Sequence, residues 1–260
     1  MTAPALVLLA HGSTDPRIAG QLHELRRSMQ QARPDLDVSL AFLDHCPPSG
    51  PAVVQALAKR GVKEMVFVPL ELSSAVNVDQ AAIDVVELLR HNHPSVSMQL
   101  ARPVGPATDL LNVLDQRLRE ALRASGAGEL DALVISVPQT GDARGNALLA
   151  RRARQWGSHH RLPCLVAAND SPATDIAHAM SALRAQGRRH IAVGSLYVCG
   201  DQSFRLQRAT ALKAGAVAVS EPIGAHEVLL ELVMARYAFA AMDLLDHAQL
   251  QDEATLSVAI

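Results

Sequence analysis

The chain has 260 residues, of which 49% are hydrophobic and 19% are charged, as in a globular protein with one large or two smaller domains. Its formal net charge of −2 and its 3% aromatic content argue against a nucleic-acid-binding surface. No aliphatic run approaches the length of a membrane helix, and the N-terminus lacks a secretory pattern. The three cysteines form no CxxC pattern. We therefore expect a cytoplasmic protein with no membrane or nucleic-acid partner.

The first 125 residues alternate short aliphatic runs with longer amphipathic stretches. This pattern predicts strands at residues 5–10, 37–44, 64–70 and 95–102, and helices at residues 17–33, 51–61, 79–92 and 107–125. Continuously apolar strands separated by helices indicate a parallel sheet that is covered on both faces. The predicted fold class is therefore α/β.

The second half of the chain repeats the first. The segment "LDALVISVPQTGDARG" resembles "APALVLLAHGSTDPRI", and "RRHIAVGSLYV" resembles "VKEMVFVPLEL" less closely. In the strongest match, Pro222, Gly224 and Arg236 each lie 119 residues after Pro103, Gly105 and Arg117. We predict two similar domains related by internal duplication, at residues 1–125 and 130–260, joined by the Gly- and Ser-containing segment "SGAGEL".

His11 ends the first predicted strand and is followed by a Gly-Ser-Thr-Asp-Pro turn. Ligands of doubly wound sheets bind at the carboxyl ends of strands, and a helix N-terminus after such a turn favours anions. A buried histidine that bonds to the backbone before an ordinary helix cap explains the same pattern. The residues alone leave both interpretations open.

Three segments together resemble the class II tetrapyrrole chelatases, the sirohydrochlorin cobalt and iron chelatases of the CbiX/SirB type. They are "LVLLAHGSTDPR", "VSLAFLDHCPPSGPAVVQALAKRGVKEMVFVPLEL" and "ARPVGPATDLLNVLDQRL", which cover most of residues 4–123 in order. The duplicated second half is similar to the long form of the family, in which two fused domains face each other across a cleft. The resemblance implies insertion of cobalt or iron into sirohydrochlorin, in cobalamin or sirohaem biosynthesis. Metal and tetrapyrrole are then substrates, and no tightly bound cofactor is expected.

His11 matches the first active-site histidine of the family, which implies metal handling, proton abstraction, or both. Imidazole suits both tasks, because it titrates near neutral pH and its neutral form ligates cobalt, iron or nickel. The second half has Pro138 at the matching position, so the resemblance implies one site, with the C-terminal domain as the opposing wall. The internal duplication removes the need for a dimer, and we expect a monomer.

The second histidine of the family is replaced here by Asn77, which is a poor transition-metal ligand and no base. Glu71 directly follows the "VPL" strand and is the predicted replacement as metal ligand and catalytic base, although a surface carboxylate at a strand end explains it as well. Asp79 is a second candidate, with a helix cap as its alternative role. Asp44, His45 and Cys46 form a further cluster at a strand end, although adjacent residues rarely all face one metal.

Sirohydrochlorin carries eight carboxylates, so we expect arginines beside the site. The predicted substrate-binding residues are Ser13, Arg17, Asn77 and Arg102. The loss of the second histidine also leaves open a non-catalytic paralogue that binds a tetrapyrrole or a metal as a carrier or regulator.

Overall fold

A computed structural model of the chain describes residues 3–170 and 175–258, with the side chains of the last helix described as far as residue 244. The first half contains β1 (Ala5–Ala10), α1 (Pro16–Ala32), β2 (Val38–Phe42), α2 (Gly50–Lys59), β3 (Glu64–Pro69), α3 (Gln80–Asn92), β4 (Ser97–Leu100) and α4 (Leu110–Ser125). The second half contains β5 (Ala132–Val137), α5 (Ala143–His160), β6 (Cys164–Ala168), α6 (Ile176–Ala185), β7 (Ile191–Ser195), α7 (Gln202–Lys213), β8 (Ala218–Val219) and α8 (Glu227–Val258).

The two halves have the same sheet topology. Each forms a four-stranded parallel sheet, in the orders β2-β1-β3-β4 and β6-β5-β7-β8. Leu8 pairs with Leu40 and Val68 in the first sheet, and Ile135 pairs with Val166 and Gly194 in the second. The predicted fold class, α/β with two similar domains, is confirmed.

Aspartates begin most of the helices that follow strands. The side chains that cap helices α1, α3, α5, α6 and α7 belong to Asp15, Asp79, Asp142, Asp175 and Asp201. Each carboxylate accepts a backbone N–H of the first helical turn, which otherwise has no intrahelical partner. Because these caps lie at the carboxyl ends of the strands, they concentrate acidic groups at one edge of each sheet.

The fourth helix of each half packs on the sheet of the other half. Helix α4 contacts β7 and β8, whereas α8 contacts β3 and β4. Arg117 of α4 donates to the carbonyl of Ile223 (3.3 Å), and Arg236 of α8 donates to the carbonyl of Val104 (3.0 Å). These four residues are the same two positions of the repeat, so the exchange of helices is reciprocal. The predicted boundary at 125–130 falls between α4 and β5 in the chain. In space, however, α4 and α8 each pack on the sheet of the other half.

The apolar core is arranged around this exchange. One buried cluster runs from Leu6 and Leu8 of the first sheet, through α1, α4, α5 and α8, to Leu133 and Ile135 of the second sheet. Two smaller clusters lie on the other faces, beneath α2 and α3 and beneath α6 and α7. The domains therefore share a core and hold each other at a fixed distance across the cleft. Within the described ranges, no helix has the length and apolarity to cross a membrane.

Candidate active site between the two sheets

A cavity of about 380 Å³ opens where the carboxyl ends of the two sheets face each other. The first domain contributes His11 after β1, and Glu71 and Asp79 after β3. The second domain contributes its β5 and β7 ends and the loops that follow, through Pro138, Gln139, Leu196, Tyr197, Val198, Cys199, Asp201 and Ser203. We call this space the cleft cavity. The second domain therefore forms one wall of the cleft cavity.

His11 lies between two carboxylates. Its Nδ1 is 2.9 Å from Oδ2 of Asp44, and its Nε2 is 3.2 Å from Oδ2 of Asp79. The imidazole is 55% exposed, so a ligand that enters the cleft cavity can reach it. Partial burial works to lower the pKa of His11, but the hydrogen bonds and charges of Asp44 and Asp79 outweigh it and raise that pKa. The alternative of a buried histidine bonded to the backbone is therefore wrong.

Gly12 allows Asp44 to approach the β1 loop. The Gly12 N–H donates to Oδ1 of Asp44 (2.6 Å), and a Cβ at Gly12 would lie 2.2 Å from the Asp44 carbonyl oxygen and 2.7 Å from Sγ of Cys46. No side chain fits in that space. Asp44 consequently holds the loop backbone with one oxygen and the His11 ring with the other.

Glu71 extends into the cleft cavity from the end of β3. Its Oε2 is buried and has no hydrogen-bond partner among the described residues. Burial raises the pKa of Glu71, the nearby charges of Asp79 and Asp142 add to that effect, and hydrogen bonds with Ser74 and Gln139 oppose it. A buried carboxyl with a free oxygen is prepared to take up a proton or a cation. The predicted catalytic and metal-binding roles of Glu71 stay predictions, and the surface alternative is wrong.

Asp79 both caps a helix and faces the site, the two alternatives that the sequence leaves open for it. Its Oδ1 accepts the N–H of Ala81 (2.8 Å) and so caps α3, while its Oδ2 faces His11. Asn77, at the position of the expected histidine, is exposed and lies outside the lining of the cleft cavity. The group beside Nε2 of His11 is thus a carboxylate two residues further along the chain.

The other predicted substrate-binding residues, Ser13, Arg17 and Arg102, are not in the lining of the cleft cavity. Ser13 accepts the N–H of Asp15 (3.1 Å) through its hydroxyl group, and Arg17 is exposed and paired with Asp15 (2.7 Å). Arg102 is exposed on the segment before α4. The pKa of Arg236 is lowered mainly by burial and further by the positive charge of Arg102. Their roles toward a substrate stay predictions.

The lining of the cleft cavity is acidic. Its described residues include Glu71, Asp79 and Asp201 but no lysine or arginine. Burial raises the pKa of the Cys199 thiol in the same lining to about 12, so the thiol stays neutral. Among the described residues, no three His, Cys, Asp or Glu side chains already converge in the geometry of a metal site. A cation that binds Nε2 of His11 must displace the hydrogen bond between that nitrogen and Asp79.

The contact between Asp44 and His11 was not predicted from the sequence, although a signal for it exists. Ala10 pairs with Phe42 in the parallel sheet, so the residues after β1 and β2 emerge side by side. A carboxylate two residues beyond Phe42 therefore reaches a histidine one residue beyond Ala10. By sequence alone Asp44, His45 and Cys46 form one cluster, and the strand register is what distinguishes Asp44.

The chain is similar to known proteins in sequence and in fold. Residues 5–121 match the model of the CbiX family. The fold matches that of SirB from Bacillus subtilis with Fe3+, at 15% identity and TM-score 0.73 over 92% of this chain and 96% of that one. SirB from Bacillus subtilis subspecies spizizenii in complex with cobalt matches at 13% identity and TM-score 0.75, over 93% and 96% of the two chains.

A third structure, of CbiX described as the terminal enzyme of sirohaem biosynthesis in denitrifying bacteria, matches at 15% identity and TM-score 0.58. The match covers 91% of this chain and 99% of that chain. At these identities the structural matches establish the fold alone. No curated protein matches the chain significantly.

Proposed function

We propose that this protein is a chelatase of the CbiX family, whose model its residues 5–121 match, and that it inserts cobalt or iron into sirohydrochlorin. The observation that carries the proposal is His11, which faces the cleft cavity with a carboxylate at each ring nitrogen. Metal insertion needs a donor that exchanges a proton for a divalent ion and then releases the ion. An imidazole held between two carboxylates has that chemistry.

The metal would bind at Nε2 of His11 and Oδ2 of Asp79. Asp44 holds Nδ1, which fixes the ring and leaves Nε2 directed at the cavity, as in histidines that ligate metals in other proteins. Nε2 and Oδ2 are 3.2 Å apart. Two donors at that separation, each about 2.1 Å from a first-row metal, subtend an angle of about 100° at the ion, which suits neighbouring ligands. Because the carboxylates favour the protonated ring, metal uptake would release a proton.

Glu71 would take part in removing the pyrrolic protons. Two such protons leave the tetrapyrrole for each divalent ion inserted. A carboxyl whose pKa is raised by burial is a better proton acceptor than an ordinary one, and its Oε2 has no competing partner among the described residues. These observations support separate roles, in which His11 binds the metal and Glu71 accepts a proton from a pyrrole nitrogen.

The replacement of the expected histidine by Asn77 then has a consistent explanation. Asp79 lies beside Nε2 and offers a ligand where an imidazole is expected. An oxygen donor is harder than imidazole, suits cobalt and iron, and holds them less tightly than a second histidine. The proposal therefore treats the site as altered and active. The alternative is a carrier that binds pigment or metal without insertion.

We further propose that the reaction serves sirohaem or cobalamin biosynthesis in the cytoplasm, in a monomer whose only substrates are the metal and the tetrapyrrole. The near-neutral net charge supports the absence of a nucleic-acid partner. The two-domain cleft supports the monomer, because one chain supplies both walls. The acidic lining implies that the carboxylates of the pigment stay outside the cavity, where Arg17 lies.

The test is the change in absorption spectrum when sirohydrochlorin takes up Co(II) or Fe(II), with and without protein. We expect acceleration over the protein-free reaction, and comparison of the two ions identifies the preferred metal. His11→Ala should lose at least about 100-fold of that acceleration, because it removes the ligand and the proton carrier. His91→Ala, at the exposed end of α3, is the matched control and should behave like the wild type.

Two outcomes would contradict the proposal. If the protein binds sirohydrochlorin but does not accelerate metallation, the carrier alternative is correct. If His11→Ala retains full activity, the site is elsewhere. Glu71→Gln, compared with Glu87→Gln on the exposed face of α3, separately tests the proton-accepting role.

A further inference from the structure

The segment that follows β3 carries two of the three acidic groups in the cleft cavity, Glu71 and Asp79. We call residues 71–79 the site loop. Within the first domain, the N–H of Gly105 donates to the Glu71 carbonyl (2.9 Å). Ser73 and Ser74 are buried, and the loop contains no helix or strand of its own. Its position must therefore come from contacts with neighbouring segments.

The main neighbour is the second domain. Oδ2 of Asp142 accepts three successive backbone N–H groups of the site loop, from Ala75 (3.2 Å), Val76 (2.7 Å) and Asn77 (2.7 Å). The Asp142 N–H lies 3.3 Å from Oγ of Ser74. One carboxylate oxygen thus fixes three consecutive residues of a segment that otherwise has few partners. Hydrogen bonds from backbone N–H groups to a carboxylate are among the stronger ones in proteins.

Two glycines allow this approach. A Cβ at Gly141 or at Gly145 would lie 2.1 Å from the carbonyl oxygen of Ser73. Any side chain at either position would push the site loop away from the second domain. The close fit extends over the loop and the first turn of α5, so it is not a single chance contact.

We propose that Asp142 is a positioning residue, through which the second domain holds the site loop so that Glu71 faces the cleft cavity and Asp79 faces His11. The inference rests on the proposed function and adds to it, because it makes the second domain part of the metal-handling site and not only a wall. Asp142 does not line the cleft cavity and acts through the loop backbone.

The repeat supports this assignment. Asp142 is the counterpart of Asp15, and both cap the helix that follows the first strand of their domain. Asp15 also contacts the other domain, through Arg205 of α7. Both copies therefore contact the other domain, but in different ways. Asp142 binds the backbone of the loop that carries Glu71 and Asp79, whereas Asp15 pairs with the side chain of Arg205, four residues after the cavity acid Asp201.

The test separates helix capping from loop positioning. Asp142→Ser keeps a hydroxyl that can cap α5 but is too short to hold the loop. Asp175→Ser is the matched control, because Asp175 caps α6 in the same domain (2.8 Å to the N–H of His178). Three quantities are measured: amide hydrogen exchange of the peptide that contains residues 75–77, the Kd of Co(II) alone, and kcat and KM of insertion.

We expect Asp142→Ser to speed exchange in the loop, to weaken Co(II) binding about tenfold, and to lower kcat about tenfold with little change in the KM for the pigment. Asp175→Ser should leave all three unchanged. If Asp142→Ser folds poorly, Gly141→Ala displaces the same loop while Asp142 is kept, and the same changes are expected.

The inference is overturned if the folded Asp142→Ser protein keeps wild-type loop exchange and Co(II) affinity, or if Asp175→Ser loses as much. Failure of the proposed function looks different. In that case the wild type does not accelerate metallation, while exchange and Co(II) binding still report on whether Asp142 positions the loop.

Discussion

At His11, one ring is held by two carboxylates that come from different strands and serve different purposes. Asp44 binds the loop backbone as well as Nδ1, whereas Asp79 caps a helix as well as facing Nε2. Each acid is therefore fixed by a second bond, and the ring orientation follows from the backbone of the sheet. This fixed geometry explains why an exposed histidine can still be directed at one point of the cavity.

Asp44→Asn tests whether the charge at Nδ1 matters for the reaction. The substitution keeps the size of the side chain and one acceptor, but it removes the negative charge that raises the pKa of His11. We expect the insertion rate to fall by about 10- to 100-fold, as for other groups that orient a metal-binding histidine. Metallation spectroscopy measures it, with Asp84→Asn on exposed α3 as the control. An unchanged rate would mean that Asp44 has only a structural role.

Gly12 and Gly20 form a matched pair for testing the β1 loop. In Gly12→Ala the new methyl group meets the Asp44 carbonyl, and we expect a loss of about 1–3 kcal/mol in unfolding free energy together with most activity. Gly20 lies inside α1 with open space around it, so Gly20→Ala should stabilise the protein by about 0.5–1 kcal/mol and leave activity unchanged. Urea unfolding measures the change in unfolding free energy of each variant, and the metallation assay measures its activity. Equal effects of the two substitutions would contradict the crowding argument.

At the scale of elements, the sequence predicts individual strands, helices and helix caps, but it does not predict which elements pack against each other. The β1 strand, its histidine and the helix after Asp15 follow from apolar runs and capping chemistry. The repeat predicts two domains. The exchange of α4 and α8 could not be predicted, because an amphipathic helix specifies that it packs but not on which sheet. The Asp142 contact was missed for a related reason: its partners are backbone groups, which no residue pattern marks.

The contact of α5 with the site loop should depend on pH. Burial opposes ionisation of Asp142, but hydrogen bonds from Asn77, Gly145, Val76 and Ala75 lower its pKa from the ordinary value of 3.8 to about 2. A carboxyl with a lowered folded-state pKa stabilises the fold above its unfolded-state pKa, and this contribution is lost as pH falls through the folded-state value. The negative charge of Asp142 in turn adds to the raised pKa of Glu71.

We therefore expect Asp142→Ser to destabilise the protein by a constant amount at neutral pH, and the difference from wild type to shrink between about pH 4 and about pH 2. Urea unfolding of both proteins across this range measures it. Asp175→Ser, which lacks the loop contact, corrects for the loss of a helix cap. A difference that stays constant down to about pH 2 would show that the charge of Asp142 contributes nothing.

At the scale of the whole molecule, the duplication has produced two domains that complete each other. Arg117 and Arg236 bind equivalent carbonyls in opposite directions, and Tyr237 of α8 donates to the carbonyl of Pro4 in the first domain (2.7 Å). One apolar cluster joins both sheets. The two walls of the cleft therefore belong to one shared core, yet they differ in chemistry, with His11 on one wall and Pro138 at the matching position of the other.

The exchange of helices predicts how one half behaves alone. In a fragment of residues 1–126, the faces of β3 and β4 that α8 covers in the full chain would be exposed, while α4 would lack β7 and β8. Because α4 and α8 occupy the same position of the repeat, α4 of a second copy can cover the exposed face. We expect the fragment to form a homodimer through reciprocal exchange of α4.

Light scattering after size-exclusion chromatography measures the mass of the fragment and so distinguishes a monomer from a dimer. Arg117→Met should weaken the fragment dimer, because in the exchanged arrangement Arg117 would reach the carbonyl of Val104 in the other copy, as Arg236 does in the full chain. Arg123→Met, at the exposed end of α4, is the control and should leave the dimer intact. A stable monomeric fragment would mean that α4 can fold back onto its own sheet, and that the exchange is a consequence of fusion and not a property of each half.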